Sequence, residues 1–520
     1  MNQNNISAAE LFQRVRELLM LPELEPQTRN KMMHDTLILC CHEGVKDTKQ
    51  AFGNLFSQVD YLCKARGIKV ADKIAIQTMR RHSNSQEPLS GEDLKYDARA
   101  LALFISAVFG VDVPHELNVL IPHTPRPYQK GLEINNRRIR CIVKNWDGDF
   151  IRVDIDQDAD EEEYLVQLKD EENHIDHTYL WDILKEGMQL NLLDCQVKQP
   201  IITPRLIVVE PDYLVDISSI ATCFTAFGHH PLLYLLNLMK PRANTQATLL
   251  GNFAGAALDD IINSHGKYQM HETVKTNFRE KALEFCTCPW FDPKKFYTDA
   301  SLQAFNLQQV VDILFPRTAS QAQMTALRGE SLYDRKKAIL EPSFVCEALG
   351  IQGRVDLMTT DCKLLVEQKS GRNMNIETHQ VDPGYHSYQL EPHYVQLLLY
   401  YGVLQHNFKL SNDRVNIRLL YSKYRPQDGL MVVAYYQKLF KEAIQYRNQL
   451  VAASFEIAKE GFEHALNEFT PEVLNVAGTQ DFFYNKYLKP QIEAITKPLH
   501  TLSPLEEAYF CRMMTFVLRE

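Results

Sequence analysis

The stretch that most restricts how this chain can fold runs from Gly353 to Gly371, Gly-Arg-Val-Asp-Leu-Met-Thr-Thr-Asp-Cys-Lys-Leu-Leu-Val-Glu-Gln-Lys-Ser-Gly. Val355 and Leu357 on one side, and Leu364 to Val366 on the other, flank the turn formers Thr360 and Asp361, which predicts two short strands joined as a hairpin. Glu367 and Lys369 are two residues apart, so an extended backbone points both to one face, beside an apolar triplet. A hairpin centred between Asp361 and Cys362 sets Asp356 directly across from Glu367. Two converging carboxylates repel unless a divalent cation holds them, and hard oxygen ligands favour magnesium or manganese over zinc. Such an ion neutralises phosphoryl charge, while Lys369 steadies an attacking water or the developing negative charge, which is the chemistry of phosphodiester hydrolysis. The competing reading of the isolated pattern is a surface hairpin carrying a salt bridge.

Residues 389–406 predict a helix entered near Pro392, with Gln396 and Tyr400 four apart on one face inside an apolar run. A site explains polar residues there: the amide can hold a water and the hydroxyl can touch a phosphate. A half-exposed helix is the alternative.

In this order, Gly353 to Asp356, Glu367 to Lys369 and Gln396 to Tyr400 resemble the G-x-x-D, E-x-K and Q-x-x-x-Y motifs of the RecB-like PD-(D/E)xK nucleases. Within that branch residues 205–520 look most similar to the nuclease half of the nuclease-helicases that trim long Okazaki flaps and resect DNA ends, on Pro211 to Ala221, Leu250 to Asn252, Glu341 and His393 to Tyr400. The resemblance implies a restriction-endonuclease-like α/β core. It also implies a metal held by Asp356, Glu367 and the backbone carbonyl of Gln368, with Lys369 as the catalytic lysine and Gln396 and Tyr400 completing the catalytic set. Two departures stand out. The family's metal-binding His, four residues after the Gly of Gly-Asn, is Gly255 here; Asp259, one turn on, or Asp260 beside it could supply a carboxylate instead. Many members also carry four cysteines around an iron-sulfur cluster, but beyond Tyr400 this chain has only Cys511, so no cluster is expected.

A net charge of −10 argues against coating nucleic acid by bulk electrostatics. Local basic groups could still form a track for DNA: Lys240, Arg242, Arg335 to Lys337, Arg354, Arg372, Lys423 and Arg425. Scattered solvated charge is the equal alternative. No apolar run reaches the ~18 residues that span a bilayer, the N-terminus is polar, and the 11 cysteines form no framework. These features predict a soluble, intracellular protein of the cytoplasm, associated with the nucleoid and not with membrane.

The 520 residues allow about three domains. Residues 1–110 read as all-helical, opening on the capping box Ser7 to Glu10 with Leu11, Val15, Leu18 and Leu19 on one face, and with a second stripe at Phe52, Phe56, Val59 and Cys63. Ser90 opens the last helix and Gly110 closes it. Residues 111–134, with Pro114, Pro122, Pro125 and Pro127, read as an extended linker. Alternation at Ile139, Cys141 and Val143, the Asp147-Gly148 turn and strands near 164–168, 190–197 and 206–209 predict a small OB-like β-barrel over 135–212. Its Arg138, Arg140, Lys144, Trp146 and Arg152 suit a single strand, although the acidic loop 156–163 repels phosphate. The nuclease core comes next, over 213–455, with Leu-rich helices at 217–240 and 244–264 and a strand at 417–421, and 456–520 reads as a helical connector. The last helix stops without a cap or tail and no phosphate loop occurs in these residues; the resemblance implies a helicase as a further domain or a separate subunit. The expectation is a multidomain α+β, metal-dependent DNA nuclease acting on single-stranded or flapped DNA. Its rivals are a catalytically silent DNA-binding module of a helicase and a helical protein-interaction scaffold.

Overall fold

The computed structural model describes residues 6–21, 23–85, 87–126, 132–155, 163–225, 228–240, 244–378, 387–410, 414–478 and 480–520. Arg242, Pro127 and most of the acidic loop 156–163 lie outside the described residues. The chain is mixed α+β, with a closed five-stranded barrel and several further sheets. No described helix is long and apolar enough to cross a membrane.

Five main helices form the N-terminal bundle: Ala8–Leu19, Pro26–Val45, Leu55–Ala65, Val70–His82 and Gly91–Phe109. Ser7 and Glu10 make the expected capping box, Ser90 makes another with Asp93, and Gly110 ends its helix in the left-handed region at φ 68°. The bundle is not purely helical, however. Phe52 leaves the expected stripe: Ala51–Phe52 is a short strand parallel to Leu430–Val433, at the edge of the six-stranded sheet. Gly53 makes this junction possible, donating to the Val432 carbonyl and accepting from Tyr388 N, where a Cβ would fall 2.1 Å from the Gln389 side-chain oxygen. Two residues carry too little periodicity to separate strand from helix; a partner some 380 positions away decides. The linker is likewise not uniformly extended, since His115–Asn118 is helical and Leu117 and Ile121 are buried against the bundle.

In the barrel the strands run in the order Asn136–Asp147, Phe150–Asp154, Tyr164–Gln167, Ile201–Val209, Gln189–Lys198. Ile139, Cys141 and Val143 point inward as their alternation predicts, and Gly148 turns the first hairpin at φ 55°. A buried arginine locks the end of the barrel to the helix Gln437–Glu460. Arg447, on that helix, donates to the carbonyls of Val209, Glu210, Tyr213 and Gly350, while Asn448 beside it bonds Val209 N and the Ile207 carbonyl. The boundary expected at 455/456 falls inside the same helix.

The six-stranded sheet has the order Ala51–Phe52, Leu430–Val433, Asn416–Tyr421, Leu364–Lys369, Leu357–Thr359, Ala338–Leu340. Its central strand separates two cores by simple alternation. Leu364 and Val366 pack with the helices Gln246–Asn263 and Pro293–Leu314, and Leu365 packs with Glu391–Phe408 and Gln437–Glu460. The 217–240 segment is not one helix: Ile217–Ala221 and Leu232–Met239 are separated by a two-stranded turn through Gly228, at φ 126°. The latter helix packs with the C-terminal helices, including Pro504–Arg519.

Candidate active site

Leu357 pairs with Val366 and Met358 with Leu365, so one further step along the same register sets Asp356 opposite Glu367, as the sequence predicts. The strand that carries Asp356 is nevertheless interrupted. Ile351–Arg354 belongs to a separate three-stranded sheet with Ser343–Cys346 and Val215–Asp216, and Val355 and Asp356 form the crossing between the sheets. Asp356 thereby sits in a break, where its carboxylate accepts from Gln368 N at 2.6 Å instead of lying flat in a ladder.

Glu367 is 2% exposed, and Lys369 Nζ lies 2.8 Å from Glu367 Oε1 and 2.8 Å from Gln396 Oε1. Gln396 therefore holds the lysine rather than a water. Glu367 Oε2 is buried without a protein partner. Burial, and then the neighbouring Asp356 carboxylate, push the Glu367 carboxyl up to about 8 against the pull of Lys369. Burial also raises Asp356. Tyr400 is buried and donates its hydroxyl proton to the Arg354 carbonyl at 2.6 Å, so it braces the strand before Asp356 and does not face the cleft as a phosphate contact. This explains the glycine of the first motif: a Cβ at Gly353 would sit 3.0 Å from the Tyr400 ring and hydroxyl.

A cleft of about 240 Å³ opens over these groups, lined by Asp356, Gln368, Lys369, Ser370 and Gly371, by Gly251 and Gly255 of the helix Gln246–Asn263, and by His393. Gly255 is thus a wall of the cleft, and a Cβ added there meets nothing within 4 Å. Asp259, a turn further on, is half-buried and its carboxyl is pushed up to about 6 by burial, then by Glu341, Asp260 and Asp356. Asp260 turns away and accepts from Thr273 Oγ1 at 2.5 Å, on the helix Met270–Glu280. Adjacent residues on a helix point about 100° apart, so Asp259 is turned toward Glu341 and Asp356 while Asp260 is turned toward Thr273.

Of the basic candidates, Arg354 pairs with Glu341 at 3.0 Å, and Arg372 and Lys423 both pair with Glu377. Those contacts, led by the Lys423 hydrogen bond, hold the Glu377 carboxyl down at about 2. Lys240 is exposed.

Sequence reasoning passed over His393 as a site residue. It lies three before Gln396 and seven before Tyr400, a spacing that already puts all three on one helix face. Its Nδ1 is 3.1 Å from the Tyr421 hydroxyl, which also accepts from Leu390 N. Burial lowers the imidazole to about 4, so it is neutral near pH 7. Also missed was a buried support beneath the strand: Gln303 Nε2 donates to the Ser370 carbonyl, and Ser422 Oγ donates to Gln303 Oε1 and accepts from Gln368 Nε2. Polar residues of this kind carry no motif spacing and are identified only by what surrounds them.

The donor set fits a hard divalent cation. The buried Glu367 and the partly buried Asp356 face each other, Lys369 binds one oxygen of Glu367, and the other oxygen is left buried and unpaired, a costly arrangement that an oxygen-seeking ion relieves. Among the described residues no three His, Cys, Asp or Glu side chains stand close enough together to hold an ion. A larger cavity, about 900 Å³, lies elsewhere, between the barrel, Tyr446 to Lys459 and His229 to Leu232, and contains none of the predicted site residues. Volume alone does not make it the site, because Asp356 and Lys369 line the smaller cleft and the buried Glu367, bound to Lys369, lies beside them. No family model and no curated protein sequence matches this chain, so the reading of the cleft rests on its own geometry.

Proposed function

We propose that the chain is a metal-dependent deoxyribonuclease with a RecB-like, restriction-endonuclease-like core, hydrolysing phosphodiesters of single-stranded or flapped DNA beside a helicase domain or subunit. The observation that carries this reading is the buried Glu367, with one oxygen on Lys369 and the other unpaired, facing Asp356 across the hairpin. Asp356, Glu367 and the Gln368 carbonyl would hold magnesium or manganese, which when bound supplies Lewis acidity toward a phosphoryl oxygen. Lys369, fixed by Glu367 and Gln396, presents an ammonium at the cleft to orient a water and to meet the charge that develops on phosphate. Tyr400 keeps the Gly353 to Asp356 segment in place through the Arg354 carbonyl and acts as a positioning residue. His393, neutral and on the cleft wall, offers a hydrogen bond to a phosphate oxygen without adding charge.

One observation favours a second reading, a silent DNA-binding module: position 255 on the cleft wall has no side chain. Manganese-dependent cleavage of labelled flap DNA, run beside a gel shift in chelator, separates the two. The nuclease reading expects cleavage to fall at least about 100-fold in both Glu367→Gln and Lys369→Met, with folding intact and losses that do not add. Binding without cleavage in the unmutated protein supports the module, and undiminished cleavage in either variant sinks the site.

A further inference from the structure

Trp290 is 98% exposed, more than any other large apolar side chain among the described residues. Its backbone is in the left-handed region at φ 58°, a conformation that a bulky residue adopts only under constraint. Packing does not account for it. On either side the chain interlocks its phenylalanines, Phe278 stacked on Phe285 at 4.0 Å and Phe291 against Phe296 at 5.6 Å, while the indole between them is turned out into solvent. Tryptophan is the side chain with most to gain from burial, so a fully bare indole on a strained turn points to a ligand with a flat π-face.

The position of the turn indicates which ligand. Asp292 N donates to Gln246 Oε1 at 2.9 Å and Asn244 Nδ2 donates to Thr287 Oγ1 at 2.7 Å, clamping the turn from both sides to the start of the helix Gln246–Asn263. Gly251 and Gly255, which wall the cleft, lie about 8 and about 14 Å further along that helix at 1.5 Å per residue. The turn that carries the indole and the cleft that carries Asp356 and Lys369 are thus joined by one helix, the turn tied to its start and the cleft walled by its first three turns. The surroundings suit phosphate: the exposed Lys240 precedes this helix, Lys294 is exposed four residues after Trp290, and the helix presents its positive dipole end here.

We propose that Trp290 is a stacking platform for an unpaired base of a single-stranded nucleic acid whose backbone runs on toward the cleft. This deepens the nuclease reading and rests on it. One indole face against one base is sequence-tolerant and needs no hydrogen-bond code, as a strand-processing site requires.

The test uses the full chain in chelator, with a dye-labelled oligothymidylate followed by anisotropy and with intrinsic tryptophan fluorescence. Only Trp146, Trp181 and Trp290 contribute to that emission. Trp290→Ala is expected to weaken binding about thirtyfold, near the middle of the range for losing one stacked base. Trp290→Phe is expected to keep most of the affinity but to lose the quenching that the oligonucleotide causes in the unmutated protein. Equal affinity in Trp290→Ala, or quenching that persists in Trp290→Phe, overturns the platform while leaving DNA binding in place. Failure of the unmutated protein to bind the oligonucleotide at all overturns the DNA reading and the platform with it.

Discussion

On the proposed metal-dependent reading, a cation held by Glu367 would make metal binding and proton release one event, with the number of protons released set by the environment of that carboxyl. In the metal-free protein its carboxyl titrates at about 8, raised by burial and by Asp356 from an ordinary 4.5. At pH 7 it therefore keeps its proton about nine-tenths of the time, whereas the unfolded chain has lost it. Between 4.5 and 8 the folded state holds the extra proton, so metal-free stability falls as pH rises through that window. A cation needs the bare carboxylate and must displace that proton. Manganese binding should then release about 0.9 proton from Glu367 at pH 7 and about 0.1 at pH 9, with affinity rising about tenfold per pH unit until it levels off above 8. Calorimetric titration with Mn²⁺ in two buffers of different ionisation enthalpy counts the protons directly. Glu367→Gln, which keeps the shape and the bond to Lys369 but cannot ionise, should bind more weakly and lose this release. Equal proton release from the two proteins at pH 7 would refute the reasoning.

The same titration tests position 255: Gly255→His, placed on the cleft wall where a Cβ meets nothing, should bind Mn²⁺ several-fold more tightly without loss of fold, and unchanged affinity would end the idea of a missing ligand. Arg447→Leu removes the donor to four carbonyls at the barrel joint, each worth about 1–3 kcal/mol if left buried and unpaired. It should lower the melting temperature and open the 207–213 segment to limited proteolysis, and an unchanged digestion pattern would show that the joint is held by something else.

What the sequence reveals here is what depends on neighbours a few residues apart. The capping box at Ser7 and the helix start at Ser90 are legible because each is an exchange of hydrogen bonds within four residues. Barrel strands follow from alternation, and the facing of Asp356 and Glu367 follows from a hairpin whose turn is local, even though the left-handed residue in that turn is Cys362 and not the glycine or asparagine such a position favours. Gln396, Tyr400 and His393 share a face simply because a helix repeats every 3.6 residues. What each of them touches was decided elsewhere. Tyr400 reaches the Arg354 carbonyl because a strand from another sheet ends there, and Lys369 is held by a glutamine from a helix laid across the sheet. Asp259 faces the acidic site while Asp260 is turned to Thr273, a choice made by how one helix is rotated against its neighbours. Ala51–Phe52 becomes a strand only because Leu430–Val433 offers an edge. Hydrogen bonds and burial between residues hundreds of positions apart are fixed by packing, and packing is a property of the whole chain that no local window contains.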